Sequence, residues 1–279
     1  MSDTRPIGVF DSGIGGLTVL REIRDLMPGE STVYFGDNGR TPYGTKSRDT
    51  VRKYSLQNMK FLLEQNVKMI VIACNTASAY AYEDLKKHSP VPVVEVVTPG
   101  AREAVQATHN GSVGIIATSA SVSSGVYKEA ILEAASAASV DVSIVQKACP
   151  LFVSLAEEGW WDNEITRLTA REYLRSIKDA SVDTLVLGCT HYPLLSKVIG
   201  EEMGPSVRLV NTGKAVARVV QAYLTESGLC NTDGEVTRSF YTSDDPGMFE
   251  AVASPFLGSG LPSGTVHFST DRYDVEDLL

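Results

Sequence analysis

The sequence predicts an α/β protein of two pseudo-symmetric domains, each with a mainly parallel sheet flanked by helices, and a functional site in the cleft between them. Short apolar runs alternate with helical patterns along the chain, as parallel sheets require. The alternation occurs in two similar series, and each series contains a strand that ends at a cysteine, Cys74 or Cys189. Because the carboxyl ends of parallel strands are where such sheets bind ligands, the two cysteines are predicted to face one site.

The first series begins with a short apolar strand, and the helix after it ends at Pro28-Gly29, a pair that stops helices. An amphipathic pattern predicts the longest helix of this series. In chain order, the predicted elements are strand 7–10, helix 17–27, strand 32–35, helix 47–65, strand 69–74, a helix ending near residue 88, and strand 91–97.

The second series repeats this order after Thr98-Pro-Gly100. Its predicted elements are helix 101–108, strand 112–117, a helix through residue 138, strand 140–146, helix 163–178 and strand 184–189. A strand at 207–210 and a helix at 213–225 are expected to return to the first domain. The predicted first domain is therefore 1–97 plus 207–279, in which the tail from residue 233 is a surface appendage, and the second domain is 98–206.

The composition limits the possible partners and the compartment. The chain has 279 residues and a formal net charge of −9, which disfavours nucleic acid and anionic membranes as partners. The sequence shows neither a secretory signal nor an apolar run long enough to span a bilayer, so a cytoplasmic location is expected. The four cysteines are then reduced, and without a CxxC pair they predict neither a metal site nor a thiol redox protein.

Short polar residues directly follow both strand-ending cysteines. Asn75 and Thr76 follow Cys74, and Thr190 and His191 follow Cys189. Such a turn offers side-chain groups and backbone N–H groups to a carboxylate or an oxyanion, and a histidine near a thiol favours the thiolate or relays its proton. Buried structural cysteines and a surface histidine are the alternative interpretations, which the residues alone leave open.

A glycine-rich loop follows the first strand, beginning at Asp11 and Ser12. It fails the dinucleotide-binding spacing, because Thr18 stands where the third glycine belongs. It is instead predicted to bring backbone N–H groups close to an anion. Asp11 would lie at the ligand-facing edge, and an aspartate that caps the next helix is the alternative.

Two further segments carry candidate polar groups. Asp37 closes the second strand, and the loop after it contains Tyr43 and Gly44, which can offer backbone donors to a substrate. Glu157 is a candidate either to bind a substrate ammonium group or to tune Cys189. A solvated helix end is the alternative interpretation for Glu157.

Taken together, these motifs resemble bacterial glutamate racemases, in order and over nearly the whole chain. The segments that carry the resemblance are 7–17, 35–37, 42–44, 73–77, 148–152, 187–193 and 240–246. The related aspartate racemases share the plan of two cysteines but usually have another residue at the position of His191.

The resemblance implies an amino-acid racemase that uses neither a cofactor nor a metal, with its active site between two domains. By family pattern Cys74 and Cys189 are the two bases, Asp11 assists the first thiol and His191 is the partner of the second. Asp37 and Glu157 match supporting acids. The implied substrate contacts are Asp11, Ser12, Tyr43, Gly44, Asn75, Thr76, Thr190 and His191.

The resemblance also implies glutamate as the small-molecule partner and a role in supplying D-glutamate for peptidoglycan. It leaves the oligomeric state open, with a homodimer as one expectation. Two alternatives are kept: an aspartate racemase, and a protein that binds an acidic amino acid without turning it over. Chiral analysis separates the first from a glutamate racemase, and deuterium incorporation at Cα separates the second.

Overall fold

A computed structural model describes residues 2–232, 234–258 and 264–279 of the chain. The strands are β1 (Ile7–Asp11), β2 (Thr32–Gly36), β3 (Met69–Ile72), β4 (Val93–Glu95), β5 (Ser112–Ala117), β6 (Ser143–Ala148), β7 (Thr184–Gly188), β8 (Arg208–Asn211), β9 (Arg238–Thr242) and β10 (Val266–His267). The α-helices are α1 (Leu17–Leu26), α2 (Arg48–Glu64), α3 (Asn75–His88), α4 (Val97–Ala107), α5 (Ser119–Ser124), α6 (Val126–Ala138), α7 (Leu151–Glu157), α8 (Glu164–Asp179), α9 (Ser196–Met203), α10 (Thr212–Glu226) and α11 (Pro246–Leu257).

The first sheet, called sheet 1 below, has the strand order β10-β9-β2-β1-β3-β4, and its neighbouring strands are parallel. The central strands β1 and β3 are buried along their whole length, as expected for strands covered by helices on both faces. The prediction that the tail is a surface appendage is wrong, because β9 pairs with β2 and extends the sheet. Without β9, the backbone groups along this edge of β2 would lack their sheet partners.

The second sheet, called sheet 2 below, has the order β6-β5-β7-β8 and is also parallel. The strand expected at 207–210 was assigned to the first domain, and this is wrong, because β8 pairs with β7 in sheet 2. The short connection through α9 brings the chain back beside β7, the usual result of a β-α-β unit. The α/β class with mainly parallel sheets is confirmed, whereas the division at residues 97 and 98 stays a prediction.

Helix boundaries differ from the sequence expectations where glycine and proline intervene. The helix expected through residue 138 is divided into α5 and α6 at Gly125, whose φ of 73° is left-handed. The patterns also gave no prediction for α7 or α11, which begin beside Pro150 and at Pro246. Helix α7 ends at Glu157, one of the candidate site residues.

The two sheets share one apolar core. Val9 and Val71 of sheet 1 belong to the same cluster of buried side chains as Ile115 and Val186 of sheet 2. A continuous core holds the sheets with the carboxyl ends of their strands toward a common cavity. Among the described residues, every helix is too short or too polar to cross a membrane.

Candidate active site

A cavity of about 230 Å³ lies where the carboxyl ends of the two sheets meet. Of the residues singled out in the sequence, it is lined by Ser12, Tyr43, Gly44, Cys74, Asn75, Thr76, Cys189, Thr190 and His191. Asp11, Asp37 and Glu157 are not part of this lining, but Asp37 contacts Tyr43 and Glu157 contacts His191, both of which are. Both strand-ending cysteines therefore line one cavity.

Cys74 lies at the junction between β3 and α3. It is the N-cap residue of α3, and its sulfur accepts a hydrogen bond from the Ala77 backbone N–H at 3.4 Å. The thiol donates to the Ser12 Oγ at 3.6 Å. Burial, and next the charge of Asp11, raise the pKa of the Cys74 thiol to about 12. In the unliganded protein Cys74 is therefore a protonated thiol.

Asp11 ends β1 and is fully buried behind Cys74 and the glycine-rich loop. Its Oδ2 accepts a hydrogen bond from the Gly13 backbone N–H at 3.1 Å, while its Oδ1 has no partner in the described part of the chain. Burial raises the pKa of Asp11, although the charge of His191 and backbone hydrogen bonds act in the opposite direction. A buried acceptor without a partner marks a position where a donor is missing.

Cys189, His191 and Glu157 form a connected row on the opposite side. The Cys189 sulfur lies 3.7 Å from His191 Nδ1, and His191 Nε2 lies 2.9 Å from Glu157 Oε1. Burial alone would lower the pKa of His191, but its hydrogen bonds to Cys189 and Glu157 outweigh this effect and raise the pKa to about 10. His191 is therefore a cation beside the second thiol, and the half-exposed Glu157 connects it to solvent.

Asp37 acts on the cavity through Tyr43. The Tyr43 hydroxyl donates to Asp37 Oδ2 and accepts a hydrogen bond from the Asn58 side chain at 3.1 Å. Arg40 donates to both oxygens of Asp37 and also to Thr270 of the C-terminal segment. The loop that carries Tyr43 and the adjacent cavity wall is therefore held by a buried polar network that includes the chain's tail.

Asn75 and Thr76 begin α3 and contact residues of the sheet 2 side. The Thr76 and Thr118 hydroxyls lie 3.1 Å apart, and Tyr127 of α6 donates its hydroxyl proton to Asn75 Oδ1. The Asn75 Nδ2 is buried and has no partner among the described residues. Like Asp11 Oδ1, this amide nitrogen is a buried polar atom that the described part of the chain leaves unpaired.

The glycine-rich loop packs directly against the second cysteine motif. An added Cβ at Gly15 would lie 2.3 Å from Thr190 Oγ1 and 2.5 Å from His191 Cε1, so only glycine fits there. Next to it, Thr18 Oγ1 donates to the Thr190 carbonyl at 2.8 Å. The glycine-rich loop therefore holds the two halves of the site in close contact.

Sequence reasoning missed several residues of the cavity wall. They are Thr41, Pro42, Thr45, Thr118, Ser119, Pro150, Val153 and Ser154. Thr118 and Ser119 had a usable signal, because they follow β5 as Asn75 and Thr76 follow β3. Val153 and Ser154 had none, because they lie inside a helix whose orientation depends on tertiary packing.

The geometry defines a class of site. Two thiols from different sheets open into one cavity, one of them beside a buried aspartate and the other beside a cationic histidine. Thiols can give or take protons near neutral pH when their surroundings are suitable. The fold and the site together are those of an α/β enzyme in which two cysteines from different sheets line one cavity.

Comparison with known proteins identifies the family. Residues 7–220 match the Asp/Glu/Hydantoin racemase family, and the chain belongs to that family. It is 49% identical over 258 residues to the glutamate racemase of Geobacter metallireducens, an alignment that covers 92% of this chain and 94% of that protein. The resemblance to glutamate racemases that the motifs indicate is confirmed.

Solved structures agree with this assignment. The glutamate racemase of Francisella tularensis in complex with D-glutamate is 38% identical with a TM-score of 0.89, over 97% of this chain and 100% of that one. The glutamate racemase of Thermus thermophilus in complex with β-chloro-D-alanine is 41% identical with a TM-score of 0.86, over the full length of both chains.

Proposed function

We propose that this protein interconverts L-glutamate and D-glutamate without a cofactor, by proton transfer between Cys74 and Cys189. The observation that carries the proposal is that both thiols line one cavity. The relatives named glutamate racemase, among them one solved with D-glutamate, support glutamate as the substrate.

Racemisation requires a proton to leave one face of Cα and another to reach the opposite face. One cysteine, as thiolate, takes the Cα proton and becomes a thiol, while the opposite thiol gives its proton to the resulting carbanion and becomes a thiolate. In the free protein Cys74 is the thiol, because its pKa is raised to about 12. The positive charge of His191 beside Cys189 attracts the negative charge of a thiolate, so Cys189 is the base for one enantiomer, and the roles of the two cysteines are reversed for the other.

The carbanion must be stabilised, because a Cα proton is much less acidic than a thiol. The Asn75 amide and the N-terminus of α3 can donate hydrogen bonds to a substrate carboxylate, whose negative charge grows as the proton leaves. The unpartnered Asp11 Oδ1 is placed to accept from an ammonium group. Ser12, Tyr43, Gly44, Thr76 and Thr190 complete the proposed contacts.

The same proposal assigns the protein to D-glutamate supply for peptidoglycan in the cytoplasm. A homodimer is part of the proposal for its assembly, and light scattering at several concentrations tests it. An independent folded monomer with full activity would contradict the dimer without affecting the chemistry.

The test is exchange of Cα hydrogen in heavy water with each enantiomer of glutamate. Wild-type protein should racemise glutamate and incorporate deuterium, and Cys74→Ala and Cys189→Ala should each lose racemisation by roughly 10²- to 10⁴-fold, the usual contribution of a general acid or base. Cys230→Ala is the matched control, because Cys230 lies outside the cavity and should be dispensable.

Other results would point elsewhere. Racemisation of aspartate in preference to glutamate would identify an aspartate racemase. Glutamate binding without deuterium incorporation would identify a binding protein. Turnover at the wild-type rate by either cavity variant would reject the two-cysteine mechanism.

A further inference from the structure

We propose that Tyr127 is a positioning residue that holds the Asn75 side chain with its NH₂ group toward the substrate's carboxylate. The inference rests on the proposed function, since it assigns the substrate's carboxylate to Asn75. Tyr127 itself does not line the cavity. Its effect on the reaction is therefore exerted through Asn75.

The contact between the two residues carries the inference. Tyr127 lies on α6, is 1% exposed, and donates its hydroxyl proton to Asn75 Oδ1. Asn75 is one of the residues that line the cavity, and its Nδ2 is buried and has no partner within residues 2–232, 234–258 and 264–279. One end of the amide is thus fixed by the protein, and the other is left for a ligand.

The direction of this hydrogen bond decides which end of the amide faces the ligand. Burial raises the pKa of Tyr127 well above its ordinary value, so the phenol keeps its proton and can donate. If the Asn75 amide were flipped, the hydrogen bond that the Tyr127 hydroxyl donates to Oδ1 would be lost. The carbonyl oxygen of the amide would then face the anionic ligand.

Packing also restrains the Tyr127 ring. An added Cβ at Gly188 would lie 2.9 Å from Tyr127 Cε2, so the ring lies directly on the end of β7, one residue before Cys189. Tyr127 thereby connects the strand that carries one thiol to the helix that begins after the other. The Asn75 amide is aligned by the half of the site that carries Cys189.

The test is Tyr127→Phe, which removes one oxygen and keeps the ring. We expect the KM for both enantiomers, and the Kd for racemic glutamate by titration calorimetry, to rise roughly 2- to 10-fold, as for the loss of one net hydrogen bond. The melting temperature should change little. Tyr241→Phe is the matched control, because that hydroxyl contacts Gln65 outside the cavity and its loss should leave KM and Kd unchanged.

A double-mutant cycle separates positioning from a merely structural role. In an Asn75→Ala background, Tyr127→Phe should cause no further change in Kd, because the group that it positions is absent. An unchanged Kd in the single variant, or changes that add in the double variant, would overturn the inference. Wild-type protein that binds glutamate but does not racemise it would instead reject the proposed function, and the Kd values would still decide the role of Tyr127.

Discussion

At the scale of single residues, the two thiols have different electrostatic surroundings. Cys74 is buried beside Asp11, and its pKa is raised to about 12. Cys189 lies beside His191, whose pKa is raised to about 10 and which therefore stays positively charged at neutral pH. The difference predicts that Cys74 keeps its proton in the resting enzyme and that a negative charge near Cys189 would be stabilised by His191.

The charge of His191 leads to a prediction on pH dependence. His191 loses its proton as the pH rises through about 10, so kcat/KM should fall on the alkaline side. Glu157→Gln removes the carboxylate charge that helps to raise this pKa, so the alkaline limb should move to lower pH. The hydrogen-bonded pairing of protonated His191 should also stabilise the folded state. This contribution should be complete below about pH 6.5 and should be lost as the pH rises through about 10.

Measurement of kcat/KM as a function of pH for wild type and Glu157→Gln checks this prediction. Glu158→Gln is the control, since Glu158 is the next residue, is exposed and lies outside the His191 contact. An alkaline limb that stays in place in Glu157→Gln would show that Glu157 does not hold the proton on His191.

At the scale of elements, the site depends on where strands end and helices begin. Cys74 follows β3 and caps α3, and Thr118 follows β5 and caps α5. Because both sheets are parallel, the carboxyl ends of the strands form the ligand-binding edge in each of them. These two edges also approach each other closely where the Gly15 loop packs against Thr190 and His191.

Gly15→Ala should therefore impair catalysis. The new Cβ would overlap Thr190 and His191 and push the second cysteine motif away from the first. Misplacement of a reacting group by about 1 Å can reduce the rate about 100-fold, and we expect a fall in kcat/KM of that order. Steady-state kinetics together with the melting temperature distinguish misplacement from unfolding.

Gly200→Ala is the comparison for Gly15→Ala. Gly200 lies within α9, and its added Cβ would meet Leu209 Cδ1 only at 3.7 Å, an ordinary contact. Alanine in such a helix should stabilise the fold by about 0.4–1 kcal/mol and leave kcat/KM unchanged. Equal activity of both alanine variants would show that the Gly15 contact is not required.

At the scale of the whole molecule, one buried ion pair ties distant segments together. Lys68 Nζ lies 2.6 Å from Glu30 Oε2 and donates to the backbone carbonyls of Asp3 and Leu229, each at 2.8 Å. The other Glu30 oxygen accepts from the Asn231 backbone N–H at 2.9 Å. The pair thereby joins the N-terminal segment, the start of β3 and the connection that leads to β9.

Lys68→Met should destabilise the protein by about 3–5 kcal/mol, because it leaves the Glu30 carboxylate buried without its cation. Lys68→Met combined with Glu30→Gln should recover part of this loss, because the uncompensated charge is then gone. Urea unfolding measures both. A double variant less stable than the single one would contradict this interpretation, and the kcat of folded protein should be unchanged in both.

Local sequence alone determined the class of fold and the centre of the site. The alternation of apolar runs and helices predicts parallel sheets because each element must bury one face. The polar residues after Cys74 and Cys189 are informative because strand ends are where parallel sheets expose side chains to ligands. The motifs also carried the family resemblance, which the comparisons confirm.

Tertiary structure decided which distant segments complete that site and which sheet each later strand joins. The sequences of these strands do not predict that β9 pairs with β2 or that β8 pairs with β7. The reason is that backbone hydrogen bonds are nearly independent of side-chain identity. Local sequence likewise does not predict the contact of Tyr127 with Asn75, or the contacts of Arg40 with Asp37 and Thr270. These contacts join residues far apart in the chain, and only the packing of helices on two sheets with one shared core brings them together.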